Sequence, residues 1–459
     1  MTLGTLMMSA LFLAGCGGGL VSVAPRAANQ TAPSSGARHF KSLRDGLAAG
    51  DLKPACGPVG VGRARCSAVV LTTGASAAVA AAPLSPAVAP ALPAGYGPAD
   101  LQSAYHLTEA ARNNGDDALI AIVDAFDDPH AERDLTVYRA RFGLPPCTTA
   151  NHCFQKVNQQ GRAHPMPSLP TADLAGWTVE TSLDLDMVSA NCPRCRILLL
   201  ESNDDNLSNL GTAVNEAAEM GANAISNSYV ALESPTDPLR VADGGVLPYY
   251  VHPGVAVVAG AGDFDFAFFG PSLGPLVPAA FPTVVTVGGT QLVRDPTSSR
   301  GWQESAWDGT GSGCSAYEAM PPWQTADPSC VGAVTDSAGN TTTFPSRIYG
   351  DVAYVGSPFT GVAVYDTDGQ LGTTGWGVVG GTSVGAPAIA AIYGLSGYGR
   401  SERGDDLRFP AAKLYRVKRG LFDITTGSNG LCTVAFLCNA GPGYDAPSGN
   451  GTPNGIGAF

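Results

Sequence analysis

"VAVVAG", Val255–Gly260, carries no polar side chain from end to end. A strand with one wet face alternates apolar and polar residues, so a short unbroken apolar run between turn residues reads as a strand covered on both faces. Working outward, "ALIAIVDA" (Ala118–Ala125), "RILLLE" (Arg196–Glu201), "AISNSY" (Ala224–Tyr229) and "TVVTVGG" (Thr283–Gly289) read the same way. Helical patterns separate several of them, across "WTVETSLDLDMVSA" (Trp177–Ala190) and "LGTAVNEAAEMGA" (Leu210–Ala222). Strand, helix, strand, helix in this order predicts an α/β fold, one large domain with a mainly parallel sheet and helices on both faces.

In such sheets ligands are met beyond the carboxyl ends of the strands. Asp124 follows "AIV", the "ISNSY" segment ends another strand, and Asp263 follows "VVAGAG", so the expected site gathers these positions. A further stretch, "GGTSVGAP" (Gly380–Pro387), presents Ser383 between glycines ahead of a small-residue run, "APAIAAI" (Ala386–Ile392), that reads as a buried helix. A nucleophilic serine needs a base. The sequence has six histidines, all in polar, Pro-containing or linker surroundings that suit a surface or capping role. The alternative base is carboxylate. Glu180 and Asp184, four apart on a helix, share a face and repel unless they share a proton. Two readings of that pair stand at this point: a proton-sharing acid pair, or an exposed acidic face that Asp186 extends.

Composition narrows the class. The 459-residue chain is 44% hydrophobic and 14% charged, which suits a globular protein with a sizeable core. A formal charge of -13 argues against a basic face for nucleic acid or anionic lipid. The opening "MTLGTLMMSALFLAGCGGG" has an apolar run too short to span a bilayer, and reads as an export signal over residues 1–16. "LAGC" resembles a lipobox that would place a lipid anchor on Cys16, the sole membrane attachment expected. Residues 17–94, rich in Ala, Pro, Gly and Ser, read as a short pro-region and linker, and the folded body as 95–459. Without Cys16, the remaining cysteines fall into neighbouring couples: Cys56/Cys66, Cys147/Cys153, Cys192/Cys195, Cys314/Cys330 and Cys432/Cys438. That pattern predicts five short-loop disulfides in an oxidising compartment. "CPRC" is read as one of these bridges rather than a redox or zinc motif, since no second CxxC or histidine pair accompanies it.

Taken together and in order, these motifs resemble the sedolisins, serine-carboxyl peptidases with a subtilisin-like fold, over about Gly95 to Phe459. The family's Glu-x-x-x-Asp helix matches Glu180 and Asp184, and its Gly-Thr-Ser-x-x-x-Pro motif matches Gly381, Thr382, Ser383 and Pro387. "VVAGAGDFDF" followed by "VPAAFPTVVTVGGT" makes Asp263 the equivalent of the family's oxyanion aspartate. The resemblance implies a secreted, acid-active, monomeric endopeptidase acting on polypeptides. In it Ser383 attacks the peptide carbonyl, Glu180 accepts the proton with Asp184 as its partner, and a protonated Asp263 binds the oxyanion. It also implies one structural Ca²⁺ at "LFDITTGSNG" and "NAGPGYDAP", held by the carboxylates of Asp423 and Asp445 and the carbonyls of Ile424, Gly441 and Gly443; an Asx turn and a Gly/Pro loop is the plainer reading of those segments.

Three departures bear on activity: Phe264 would crowd the oxyanion site, Val230 and Ala231 stand where relatives tend to carry glycine, and the pro-region is short. The rival reading is a non-catalytic surface lipoprotein that keeps the fold. A neutral subtilisin using Asp124 and a histidine lacks the expected His-Gly segment.

Overall fold

The computed structural model describes residues 41–57, 62–72, 92–263, 275–325, 327–335, 339–368, 370–371, 375–399 and 405–459. The segment read as an export signal, with Cys16, and Phe264 lie outside the described residues. At the centre is an eight-stranded sheet in the spatial order Trp302–Ala306, Val285–Arg294, Ala256–Gly260, Ala224–Asn227, Leu119–Ala125, Arg196–Ser202 and Phe154–Asn158, with Val352–Val355 also paired to Val285–Arg294. Every pairing is parallel except that of Trp302–Ala306.

Side chains of a strand point alternately to opposite faces, and here both faces are covered. Ile120 and Ile122, with Ile197 and Leu199 of the neighbouring strand, enter one apolar cluster together with the helices Gly176–Asn191 and Gly385–Ser396. Ala121 and Val123, with Leu198 and Leu200, enter the other, packed under the helix Leu207–Glu219. This is the physical origin of the unalternated apolar runs: each face buries its own half of the strand.

Helix Gly176–Asn191 is buried along its whole length, so a helix bearing Glu180, Asp184 and Asp186 sits inside the protein. Helix Gly385–Ser396 is apolar, buried from Gly385 to Leu395, and follows a single tight turn, Thr382–Val384. Gly381 precedes that turn at φ +112°, where a Cβ would also stand 2.0 Å from the Ser67 carbonyl oxygen, so glycine is required there both for conformation and for room.

"AISNSY" is not one strand. Ala224–Asn227 stays in the central sheet, and Tyr229–Leu232 leaves it to pair antiparallel with Arg65–Cys66 on one side and Leu276–Val277 on the other. Val230 and Ala231 take part in these pairings, so the residues standing in place of glycine do not close the strand edge.

Part of the stretch that composition marks as pro-region and linker is built into the body. Helix Leu43–Ala49 is capped by Ser42, whose hydroxyl accepts from the Asp45 N–H, and it packs Leu43 with Leu52, Val69, Leu71, Trp307 and Val378. Strand Val69–Leu71 pairs with both Leu52–Pro54 and Trp376–Gly380. All five cysteine couples form disulfides as their spacing suggests, Cys192–Cys195 among them.

Candidate active site

Asp124, Glu180, Asp184, Asp263 and Ser383 are each 0% exposed, and they meet where the carboxyl ends of the central strands face the starts of the two buried helices. Glu180 and Asp184 lie one helical turn apart on the same face. Asp186, two residues on, points elsewhere and accepts from the Tyr365 N–H at 3.1 Å. An exposed acidic face is therefore excluded.

The turn before the serine ties the parts together. Asp263 Oδ1 accepts from the Thr382 N–H at 2.6 Å and from the Thr382 hydroxyl at 2.8 Å, while Thr382 Oγ1 in turn accepts from the Gly262 N–H at 3.0 Å. Asp263 Oδ2 is buried and accepts no hydrogen bond. It lies 2.3 Å, and the Ser67 carbonyl oxygen 2.0 Å, from the point where a Gly381 Cβ would stand. Both oxygens thus border the same small space, where a proton on the carboxyl would relieve their repulsion. Burial raises Asp263 from 3.8 to about 7, against the pull of the Thr382 bonds and the Arg65 charge.

The other three carboxyls are driven the same way. Asp184 Oδ1 accepts from the Ser228 hydroxyl at 2.7 Å, and Oδ2 is buried without a partner. Both oxygens of Glu180 and both of Asp124 are buried without a hydrogen bond of full geometry. Desolvation lifts all three well into the range where they hold protons, and mutual repulsion lifts Glu180 and Asp184 further; the Ser383 hydroxyl and the Ser67 N–H are close enough to favour the Glu180 anion. The Ser383 hydroxyl donates to the Ser228 carbonyl at 3.5 Å. Arg65 is the cation whose charge reaches Asp263 and Glu180, so the cluster is neutral only if most of its carboxyls are protonated. Such a set keeps its protons in acid and titrates as a unit.

No histidine among the described residues bonds to any member of this cluster. His106 meets Asn454, His130 meets Asp368, and His252 meets the Tyr249 carbonyl. Among the described residues, the titratable groups gathered around Ser383 are carboxyls.

No protein-family model matches the chain. Among curated proteins it is similar to kumamolisin of Bacillus sp. (strain MN-32), 30% identical over 386 residues that take in 80% of this chain and 63% of that protein. It is also similar to sedolisin of Pseudomonas sp. (strain 101), 31% identical over 191 residues, 38% of this chain and 28% of that one. These likenesses, with the motifs in their order, support the sedolisin family for this chain. The chain spans under two thirds of the length of the curated relatives it matches. The fold agrees: a solved structure of Pseudomonas sedolisin, a serine-carboxyl proteinase complexed with two molecules of pseudo-iodotyrostatin, superposes with a TM-score of 0.58 at 21% identity, over 79% of this chain and 96% of that one.

Several residues of the cluster have contacts to which the motifs assign no role. Ser228 bonds Asp184 and offers its carbonyl to the Ser67 N–H at 3.2 Å; only its place in the "ISNSY" segment hinted at it. Thr382 orients Asp263, and its hydroxyl beside Ser383 was the available signal. Asp124, ambiguous as a strand-end residue, is buried within interaction range of both Glu180 and Asp184. Nothing in the sequence marked Arg65.

Of the residues proposed for a metal, the two aspartates are brought to one glycine-rich turn. Asp423 accepts from the Gly443 N–H at 3.0 and 3.2 Å, and Asp445 from Gly441 N–H at 2.9 Å and from the Ser448 N–H and hydroxyl at 2.9 and 2.7 Å. Burial raises Asp445 to about 6, and Asp423 adds like-charge repulsion. The Cys432–Cys438 disulfide closes the loop between the two segments. Two like-charged carboxylates turned to one glycine-rich turn form a donor set that a hard cation fits. Elsewhere, Asp128, His130 and Asp368 bring ligand atoms within 4.8 Å of one another.

Proposed function

We propose that this chain is a secreted, acid-active serine-carboxyl endopeptidase. Ser383 Oγ attacks a peptide carbonyl, Glu180 takes its proton, and Asp184 shares the proton load as Glu180's neighbour. Asp263, protonated, donates through Oδ2 to the developing oxyanion while Thr382 holds Oδ1; the Ser383 N–H is the second donor. The leaving amine receives its proton from Glu180, and water then hydrolyses the acyl-serine with Glu180 as base. The observation that carries this reading is the buried Asp263 oxygen that has no hydrogen-bond partner and borders the same space as the Ser67 carbonyl oxygen: a proton on that carboxyl relieves the repulsion and makes it a hydrogen-bond donor.

A Ca²⁺ ion bound by Asp423 and Asp445 with the carbonyls of Ile424, Gly441 and Gly443 would relieve the repulsion between the two acids and stiffen the C-terminal loop. It has no part in the chemical steps. The substrates are polypeptides in extended form. The disulfides suit the oxidising surroundings of an exported protein, and no helix among the described residues is long and apolar enough to cross a membrane.

The test is digestion of a denatured protein in acid by wild type and by Ser383→Ala, with folding of both checked by circular dichroism. Loss of digestion in the variant is expected. Equal digestion by both would remove Ser383 as nucleophile, and no digestion by wild type would favour a binding protein that keeps the fold.

A further inference from the structure

Two strands of the protein, Leu119–Ala125 and Val362–Tyr365, each lead into a loop rich in aspartate. The first loop carries Asp127, Asp128 and His130 into the helix Ala131–Arg141, and the second carries Asp366 and Asp368. Asp134 on that helix clips the loops together, its Oδ2 accepting from the Thr367 N–H at 2.8 Å and from the Thr367 hydroxyl at 2.9 Å. Across the join, one ligand atom each from Asp128, His130 and Asp368 lie within 4.8 Å of one another, and His130 Nδ1 stands 2.7 Å from Asp368 Oδ1. The steps assigned to Ser383 use none of them.

The three carboxylates spend their oxygens in the same way. Asp128 Oδ1 accepts from the His130 N–H at 2.8 Å, Asp366 Oδ1 accepts from the Asp368 N–H at 3.1 Å, and Asp368 Oδ1 meets the His130 ring. Oδ2 of each is left over, and all three of these atoms are buried with no hydrogen-bond partner among the described residues. Asp128 is only 2% exposed and Asp366 0%. A carboxylate oxygen taken from water and given no donor is costly to bury. Charge adds to that cost, because Asp366 and Asp368 both repel Asp128 and repel each other. Lys156, whose charge reaches Asp128, sets its amine on Asp127 Oδ1, the Asp128 carbonyl and Glu201 instead. A cation held between the loops answers both the empty acceptors and the repulsion.

We infer that Asp128, His130 and Asp368 bind a divalent transition-metal ion of the zinc class, separate from the Ca²⁺ at Asp423 and Asp445, and that this ion clamps the two loops to each other. The ligand set decides the class: an imidazole nitrogen with carboxylate oxygens suits Zn²⁺, whereas Ca²⁺ is held by oxygens. The ion takes the place of the proton between His130 Nδ1 and Asp368 Oδ1 and draws on Asp128 Oδ2; neutral histidine is the form that binds. Three protein ligands leave a position for water. Asp366, whose charge reaches His130 and both aspartates, holds the Asp368 backbone and adds negative charge behind the ligands. The His130 and Asp368 side chains remain 39% and 24% exposed, which gives the ion an entry path.

The experiment uses the full chain carrying Ser383→Ala, so that its outcome does not depend on the peptidase reading. The protein is stripped with a chelator and dialysed at neutral pH against Zn²⁺, with Ca²⁺ in excess throughout. Elemental analysis counts the bound zinc, competition with a chromophoric chelator reads its affinity, and circular dichroism checks the fold and the unfolding temperature. One Zn²⁺ per chain is expected, kept in the presence of the excess Ca²⁺ and raising the unfolding temperature. His130→Ala and Asp368→Asn, both at partly exposed side chains, should fold and should each weaken zinc at least on the order of a hundredfold, the upper end of what loss of a residue behind a ligand costs. Asp445→Ala should bind zinc as the parent does. A parent that keeps no zinc overturns the proposal, and so does equal affinity in the parent and His130→Ala. Loss of zinc in Asp445→Ala alone would place the ion in the C-terminal loop, and displacement of zinc by Ca²⁺ would refute the class of ion; either result also overturns the proposal.

Discussion

Asp263→Asn, made in the inactive Ser383→Ala protein so that self-digestion does not interfere, removes one buried titration and little else. The asparagine carbonyl can accept both Thr382 bonds that Oδ1 accepts now, and its amide stands where the protonated Oδ2 stands. Burial raises the Asp263 carboxyl from 3.8 to about 7. A carboxyl whose folded pKa lies above its unfolded one stabilises the fold while protonated. Its contribution is full below pH ~4, is lost as pH rises toward and through about 7, and is constant above that. The displacement corresponds to about 4 kcal/mol between the two limits. Urea midpoints measured from acid to mildly alkaline pH should therefore show the Asp263 parent losing about 4 kcal/mol more than the Asn variant as pH rises. Subtracting one curve from the other isolates this residue from the other buried acids. Curves that run parallel across the range would refute the burial and protonation of Asp263, and with them its role as oxyanion donor.

Glu180→Gln and Asp184→Asn should each lower the rate on the order of 10²-fold or more, and the double variant should cost far less than the product of the two, since members of one catalytic unit fail together. Additive losses would mean that the pair does not act as a unit. Ca²⁺ at a hundredfold excess over its dissociation constant should stabilise the folded chain by about 2.7 kcal/mol, a gain read as a rise in unfolding temperature. Asp423→Ala or Asp445→Ala should abolish that rise and Asp128→Asn should keep it; the opposite result would move the ion to the Asp128, His130 and Asp368 group.

The central sheet was legible because burial on two faces writes itself into composition: a strand such as Ala256–Gly260 has no position left for a polar residue. The serine and its carboxylates were legible as motifs, and the i, i+4 spacing of Glu180 and Asp184 on a helix was enough to put them on one face. Spacing did not reveal whether that face was wet. The apolar residues surrounding the acids on Gly176–Asn191 bury the whole helix, and burial is what turns two surface charges into a proton-sharing pair. The strand 62–72 could not be read from pattern. Its neighbours are rich in Ala, Pro and Gly, and its order comes from main-chain ladders to residues far away in sequence, Tyr229 and Val230 on one side and Val378–Gly380 on the other. Asp124 stayed ambiguous for a related reason: a strand-end aspartate has the same local signature whether it faces solvent or a buried glutamate.

The claim underlying the whole account is that carboxyl groups, not an imidazole, run the chemistry of Ser383. The most direct measurement is the initial rate on an unstructured peptide mixture, with a protein pre-incubated in acid, from about pH 3 to 8 across the carboxyl range, folding being checked at each point. Protons held by Asp263 and by the Glu180 cluster are lost as pH rises, so the rate should peak in acid and fall toward neutrality. A rate that peaks at neutral pH and falls in acid, as a protonating histidine base would give, would contradict the account even if Ser383 proved essential.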